Sequence, residues 1–318
     1  MTLPVSPPNP MSFSQINTEL GLTSTATISL NDSAVRTLAG VGASPATIAI
    51  TNLSGKANQF NLTISSNQTN VNLGTYASAN GWNGSSKLVV TINSGVYISS
   101  NSTGTPALTV SGSFPGTVSL TNGGTIVGMG GAGGHGWNIT GYPNANGGQS
   151  GFGGGTALSV SSPITITNNG TIAGGGGGGG AGEGTCLDST PSCGTTELYG
   201  SGGGGGGQSS TTNSSGGGAG IASGGGYNAS GGAGGAGTSS AAGSGGAASP
   251  GSFRSGSGGA GGSWGSSGSS GNLRNTPGWA NYTSPNAAAQ SGGSAGPAVT
   301  GNSSITWPAT GTRYGPIS

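Results

Sequence analysis

Met129-Gly-Gly-Ala132-Gly-Gly-His135 carries a side chain on every third residue, and two later stretches repeat the pattern. They are Ser230-Gly-Gly-Ala233-Gly-Gly-Ala236 and Ser257-Gly-Gly-Ala260-Gly-Gly-Ser263. A left-handed polyproline-II-type helix has three residues per turn and no internal hydrogen bonds. In such a helix the triplet gives one column of side chains and two columns of bare backbone. Bare columns let neighbouring helices approach closely enough to hydrogen-bond sideways. Between these stretches lie the unbroken runs Gly174 to Gly180 and Gly202 to Gly207. The reading predicts that Gly174 to Gly180 is an extended left-handed helix of about 20 Å, at ~3.1 Å per residue, buried among like neighbours.

Composition alone points the other way. Glycine is 75 of 318 residues and charged residues are 3%, which ordinarily reads as a flexible linker. Yet disordered chains usually carry net charge. This one has a formal charge of +1 and no Asp, Glu, Lys or Arg from Leu88 to Gly182. Buried N–H and C=O groups need partners, and packed glycine helices supply them to each other. The absence of a basic patch argues against nucleic acid as a partner. No apolar run is long enough for a membrane-spanning helix. The start, Met1-Thr-Leu-Pro-Val-Ser-Pro-Pro, lacks the pattern of a signal peptide.

On both sides of the glycine lie ordered segments. Leu88-Val-Val-Thr-Ile92, Val96-Tyr-Ile98, Leu108-Thr-Val110 and Val118-Ser-Leu120 read as short strands, as does Phe60-Asn-Leu-Thr-Ile64. Tyr76 and Trp82 are expected to pack within this layer. A phrase recurs: Ala107-Leu-Thr-Val110 leads to Val118-Ser-Leu-Thr-Asn-Gly-Gly-Thr-Ile126, and Ala157-Leu-Ser-Val160 leads to Ile164-Thr-Ile-Thr-Asn-Asn-Gly-Thr-Ile172. A weaker copy spans Ala298 to Arg313. Such repetition favours a solenoid over a sandwich. Each full copy runs straight into glycine, so the strands are expected to anchor the glycine helices in register.

Toward the amino terminus, Ser12-Phe-Ser-Gln15, Ser29-Leu-Asn-Asp32 and Ala49-Ile-Thr-Asn52 repeat a shorter motif, an apolar residue followed by a capping side chain. Helices are expected from Gln15 to Leu20 and from Asp32 to Ala39, stopping at Gly21 and Gly40. Units this small need outside burial, which suggests a docking module. The expected organisation is a docking module over 1–57, a β-rich repeat region over 58–122, and a glycine-rich region with a closing strand over 123–318. The fold class is mostly β and polyglycine-II, a packed lattice of glycine helices with display loops.

The inserts between glycine runs are unlike one another and hold many of the aromatics. They are His135 to Pro143, Glu183 to Tyr199, Gln208 to Ser215, Tyr227 to Ser230, Ser252 to Arg254, and Leu273 to Gln290. Loops on a rigid scaffold commonly carry recognition, with Trp and Tyr as stiff contact residues. Trp137, Tyr142, Tyr199, Tyr227, Phe253, Trp279 and Tyr282 are therefore the candidate receptor contacts, the alternative being that some of them cover the ends of the lattice. Cys186 and Cys193 flank Asp188-Ser-Thr-Pro191 as C-x6-C. They are a candidate hairpin disulfide, with free thiols the alternative, and the spacing does not match a C-x2-C zinc site. Glu183, Asp188 and Glu197 are too weak a signal for a carboxylate pair of the glycosidase kind. No catalytic, cofactor or metal site is assigned.

Met11-Ser-Phe-Ser-Gln-Ile-Asn-Thr-Glu-Leu-Gly21 and Ile28-Ser-Leu-Asn-Asp-Ser-Ala-Val-Arg-Thr-Leu-Ala-Gly-Val41 resemble a segment common in tail and fibre proteins of tailed bacteriophages. With the glycine motifs and the closing strand phrase, the chain resembles the T-even-type long-tail-fibre adhesins. The resemblance implies a polyglycine-II sandwich with receptor-binding loops at its far end. It also implies a place in the virion, at a tail fibre or tail tip, after synthesis in the host cytoplasm. Its implied partners are other phage tail proteins, through residues 1–57, and a bacterial surface receptor, an outer-membrane protein or polysaccharide. The β-repeat preceding the glycine is a departure from that pattern.

Overall fold

The structure is a computed structural model that describes residues 3, 11–42, 44–56, 58–82, 84, 86–114, 116–140, 145–187, 197–210, 212–224, 227–249, 255–274 and 287–318. The chain divides into two compact units: 1–62 with 77–90 and 114–118, and 63–76 with 91–113 and 119–318.

The first unit is built on the repeated four-residue motif. In each copy the backbone N–H of the first residue donates to the side chain of the fourth. Ser12 donates to Gln15 Oε1 (2.8 Å), Ser29 to Asp32 Oδ2 (2.8 Å) and Ala49 to Asn52 Oδ1 (2.7 Å). The helix α1 (Phe13–Glu19) is capped by Ser12, and Gln15 completes a capping box. The helix therefore starts two residues earlier than expected, because the fourth residue of the motif reaches back instead of starting the helix. The second helix, α2 (Ser33–Ala39), ends at Gly40 in the left-handed conformation. Asp32 stands at its N-cap but spends its carboxylate on Ser29, not on the helix. The third copy makes a single 3-10 turn, Ile50–Leu53.

Together the three copies bury Leu3, Ile16, Val35, Leu38, Ala39 and Leu53. Arg36 is also buried, and its guanidinium donates to the carbonyls of Gly42 and Ala46 and to Asn31 Oδ1. Those acceptors replace the water that a buried charge gives up. Phe13, Leu22 and Ile50 remain exposed, at 48%, 45% and 36%. In the same unit Trp82 is buried, stacks on Phe114 at 5.6 Å, and donates its indole N–H to Ser86 O.

Three parallel sheets follow, and the chain passes through them in rotation. The first has the order Gln59–Ile64, Lys87–Ile92, Val118–Asn122, Ile164–Asn168, Ile305–Ala309. The second stacks Gln68–Thr69, Tyr97–Ser99, Thr125–Val127, Thr171–Ala173 and Thr312–Tyr314, and the third stacks Val71–Asn72, Leu108–Val110, Leu158–Val160 and Val299–Thr300. One short helix, α3 (Leu73–Ala79), separates the first turn from the second. The repeat seen in the sequence is the register of the sheets. Leu158 pairs with Leu108 and Val299, Ile166 with Leu120, and Ile172 with Ile126 and Arg313. The apolar members of these columns are buried, each stabilising the fold by roughly 1.5–3 kcal/mol.

The recurring Asn-x-Gly-Thr-Ile phrase also has a physical reading. The alternate, inward residues of Val118–Asn122 and Ile164–Asn168 end in Asn122 and Asn168, both buried. Asn122 Nδ2 donates to Asn168 Oδ1 (2.8 Å), and Asn168 Nδ2 donates to Thr310 O (2.7 Å). Gly170 is glycine because a Cβ there would sit 2.1 Å from Gly124 O in the turn beneath.

The glycine segments enter at one corner of this coil. Residues 128–157 and 174–298 both interrupt the passage from the second sheet to the third, in successive turns. Within 174–184 the backbone donors sort into three columns. Gly175, Gly178 and Ala181 donate to Gly155, Phe152 and Gln149; Gly176, Gly179 and Gly182 donate to Gln208, Gly205 and Gly202; Gly177, Gly180 and Glu183 donate to Ser266, Ser269 and Asn272. Carbonyls of the same run accept from 131–134, 256–262 and 290–296. Six neighbouring segments thus surround it. The run 200–208 is ringed in the same way, by 131–137, 174–184, 217–220, 232–238, 243–246 and 256–262.

Gly174 to Gly180 and Gly202 to Gly207 are buried throughout. In the outer runs the third-residue column faces outward, with Ser230, Ala233 and Ala236 exposed, as are Ala260 and Ser263. Side-chain-free sequence falls where a run has neighbours on all sides, and the triplet pattern falls at the perimeter. Among the described residues no helix is long and apolar enough to cross a membrane.

Candidate receptor-binding face

Successive glycine runs alternate in direction, which sorts their connections to two ends. Gly174 donates to Tyr314 O beside the strand coil, and Gly184 donates to Ala287 O at the far end. The described residues 138–140, 145–146, 185–187, 197–199, 224 and 227–228 lie at the far end, as do the run ends Ser255, Arg274 and Ala287. The turns around 209–213, 238–241 and 264–265 lie at the coil end.

Short strands and an apolar cluster close the far end. Asn138–Ile139 pairs with Ala145–Asn146, and Ile139 bridges to Ala222. Thr185–Leu187 runs antiparallel to Glu197–Tyr199, which runs parallel to Tyr227–Ala229. Beneath them Ile139, Leu198, Ala222 and Ala287 are buried, with Trp137 and Ala145 packed on the cluster. Two side chains complete the hydrogen bonding of the outer run: Gly218 N–H donates to His135 Nδ1 (2.9 Å) and Ile221 N–H to Asn138 Oδ1 (2.8 Å).

The sequence-predicted residues separate by environment. Tyr227 is half exposed, its ring 5.9 Å from that of Tyr199. Tyr199, expected as a contact, is 2% exposed and packs against Tyr227. Burial, with the Tyr227 phenol beside it, pushes the Tyr199 hydroxyl up to about 12. Trp137 is half-buried, donates its indole N–H to Ala288 O (2.8 Å), and lies against the Gly148 backbone. It covers the end of the lattice.

Tyr142, Phe253, Trp279, Tyr282 and Cys193 lie outside the described residues, as does the Cys186 side chain. The segment between the cysteines joins two antiparallel strands. Glu183, one of the acids weighed for catalysis, is engaged instead by Arg274. Among the described residues there is no group of three or more metal-capable His, Cys, Asp or Glu side chains.

Gln208 to Ser215, grouped in the sequence with the display inserts, lies at the coil end. There the Trp264 indole donates to Ser209 O (2.6 Å), and Trp264 N–H donates to Gln208 Oε1 (3.2 Å). Ile221 and Leu273, exposed at 56% and 71%, belong to the far end and were missed. Neither stands out in sequence, because an apolar residue beside glycine gives no sign of whether a neighbouring run covers it.

The described chain is thus a coil of parallel strands bearing glycine-run insertions. The family described as Phage tail fibre adhesin Gp38 matches residues 59–318, and the chain belongs to it. Its fold is similar to that in the crystal structure of the gp37-gp38 adhesin tip complex of the bacteriophage S16 long tail fibre. The TM-score is 0.52 at 23% sequence identity, covering 98% of this chain and 99% of that one. No curated protein matches the chain.

Proposed function

We propose that this adhesin binds a bacterial surface molecule through the far-end connections, and that its glycine runs are polyglycine-II helices holding those connections rigid. One observation carries the reading. The glycine runs that flank the inserts holding the candidate contact aromatics all end away from the strand coil on the insert side. Ile221, Tyr227 and Leu273 are the exposed apolar groups described there. Threefold sorting of the donors along 174–184 supports polyglycine-II, since three residues per turn is the repeat of that helix class. The strand coil reads as a solenoid from which the lattice is extruded. Binding without catalysis fits the family and the engagement of Glu183.

Residues 1–57 are the docking module in this reading. Phe13 and Ile50 stand at the same place in two copies of the motif, and both remain exposed, presenting apolar area to a partner. The similar S16 structure is a gp37-gp38 complex, which supports another tail-fibre protein as that partner and the virion tail as the location.

Purified chain added to host cells is expected to block adsorption of the phage. The variant Ile221→Ser/Tyr227→Ala/Leu273→Ser is expected to lose blocking while unfolding at the same temperature. The variant Phe13→Ser/Ile50→Ser should still block, yet fail to enter particles. Failure of the wild-type chain to compete for cells would overturn the receptor reading in favour of a purely structural subunit.

A further inference from the structure

We propose that Glu183 is a positioning residue for receptor binding, fixing the end of the run 266–274 on which the exposed Leu273 stands; the inference rests on the receptor reading above. Residues 88–182 hold no charged group, nor do residues 255–273. Glu183 and Arg274 break that neutrality where the runs 174–184 and 266–274 end.

Four contacts meet at Glu183. Its N–H donates to Asn272 O (3.1 Å), and its carbonyl accepts from Gly256 N–H (2.7 Å). Its carboxylate Oε2 accepts from Arg274 N–H (2.9 Å), and Oε1 lies 3.8 Å from Arg274 Nε. Leu273, exposed at 71%, directly precedes Arg274.

The two backbone contacts continue the lattice, and any residue would make them. Only the carboxylate contacts need glutamate, and they act on Arg274, where the run 266–274 ends. Both side chains are mostly buried, at 17% and 18% exposure, so water competes weakly for the carboxylate. A hydrogen bond to an ionised acceptor is about twice as strong as a neutral one. The carboxylate therefore holds the end of the run 266–274, beside Leu273, and not the packing of the lattice.

The test compares Glu183→Ala, Glu183→Gln and wild type by thermal unfolding, amide exchange at Arg274, and adsorption blocking. Glutamine keeps an oxygen for the Arg274 N–H and serves as the conservative rescue. Glu183→Ala is expected to unfold within about 3 °C of wild type. Its Arg274 amide should exchange about tenfold faster or more, and it should block adsorption at least about tenfold less well. Glu183→Gln should recover most of both.

A large loss of unfolding temperature in Glu183→Ala would make the residue a lattice component and overturn the inference. So would faster exchange with unchanged blocking, or unchanged exchange. The Ile221/Tyr227/Leu273 variant separates the two levels. If it loses blocking and Glu183→Ala does not, only the positioning role fails. If wild-type chain does not block at all, the receptor reading fails, and the role of Glu183 in receptor binding fails with it.

Discussion

Replacing Gly178 by alanine tests the lattice at one of its most crowded points. A Cβ built there lies 1.8 Å from Ala132 O, 2.4 Å from Ala132 C and 3.0 Å from Gly133 N. Since real Cβ contacts stay beyond 3.0 Å, the run 128–137 must retreat by at least 3.0 − 1.8 = 1.2 Å. That retreat breaks the bonds crossing the gap, Gly131 N–H to Gly176 O (2.8 Å) and Gly134 N–H to Gly179 O (2.9 Å). It also strains Phe152 N–H to Ala132 O (2.9 Å).

An unsatisfied buried backbone group costs about 1–3 kcal/mol, so two to three broken bonds cost roughly 3–6 kcal/mol. Against this stands a gain of about 0.4–1 kcal/mol from the less flexible unfolded chain. The expected net destabilisation is roughly 3–5 kcal/mol. Gly153→Ala is the control, because its nearest neighbour is the movable Ser294 Oγ at 3.0 Å, and it should stay within about 1 kcal/mol of wild type. Denaturant unfolding gives the difference, and amide exchange at Gly131 and Gly134 locates it. Near-equal stability of the two variants, with unchanged exchange, would refute close packing of the runs.

Three further outcomes are expected. Asn168→Ala removes the bonds from Asn122 Nδ2 and to Thr310 O, leaving Asn122 Nδ2 only its longer bond to Thr171 O (3.3 Å), and should destabilise by about 2–4 kcal/mol, with clear non-additivity against Asn122→Ala in a double-mutant cycle. Because the folded pKa of Tyr199 lies near 12 and its ordinary value is 10.0, its contribution is fully present below pH 10 and is lost as pH rises toward 12. Tyr199→Phe should flatten that alkaline decline in unfolding measurements. Adsorption should vary little between low and raised salt, since charged residues are only 3% of the chain and its formal charge is +1; a steep fall would count against an apolar and aromatic contact.

Much of the fold was legible because its rules are local or periodic. Gly-Gly-X fixes how many columns of a three-residue helix are bare, and the repeated Asn-x-Gly-Thr-Ile fixes the strand register, since stacked turns must place like residues over like. The motif near the amino terminus showed its copies, but the direction of its side-chain bonds was misread. Capping depends on which residue reaches back, and a serine at either Ser12 or Ser14 satisfies the same preference.

What the chain alone determined was the chemistry of close approach: only glycine lets six neighbours reach 174–180, and the sequence supplies it there without interruption. What the tertiary structure decided was position. Whether an insert emerges at the coil end or the far end depends on the direction of its run, which placed Gln208 to Ser215 away from the other display inserts. Whether a tyrosine is a contact or a support depends on what lies above it, and Tyr227 lies against Tyr199. Burial and direction are set by residues distant in sequence, and no local pattern encodes them.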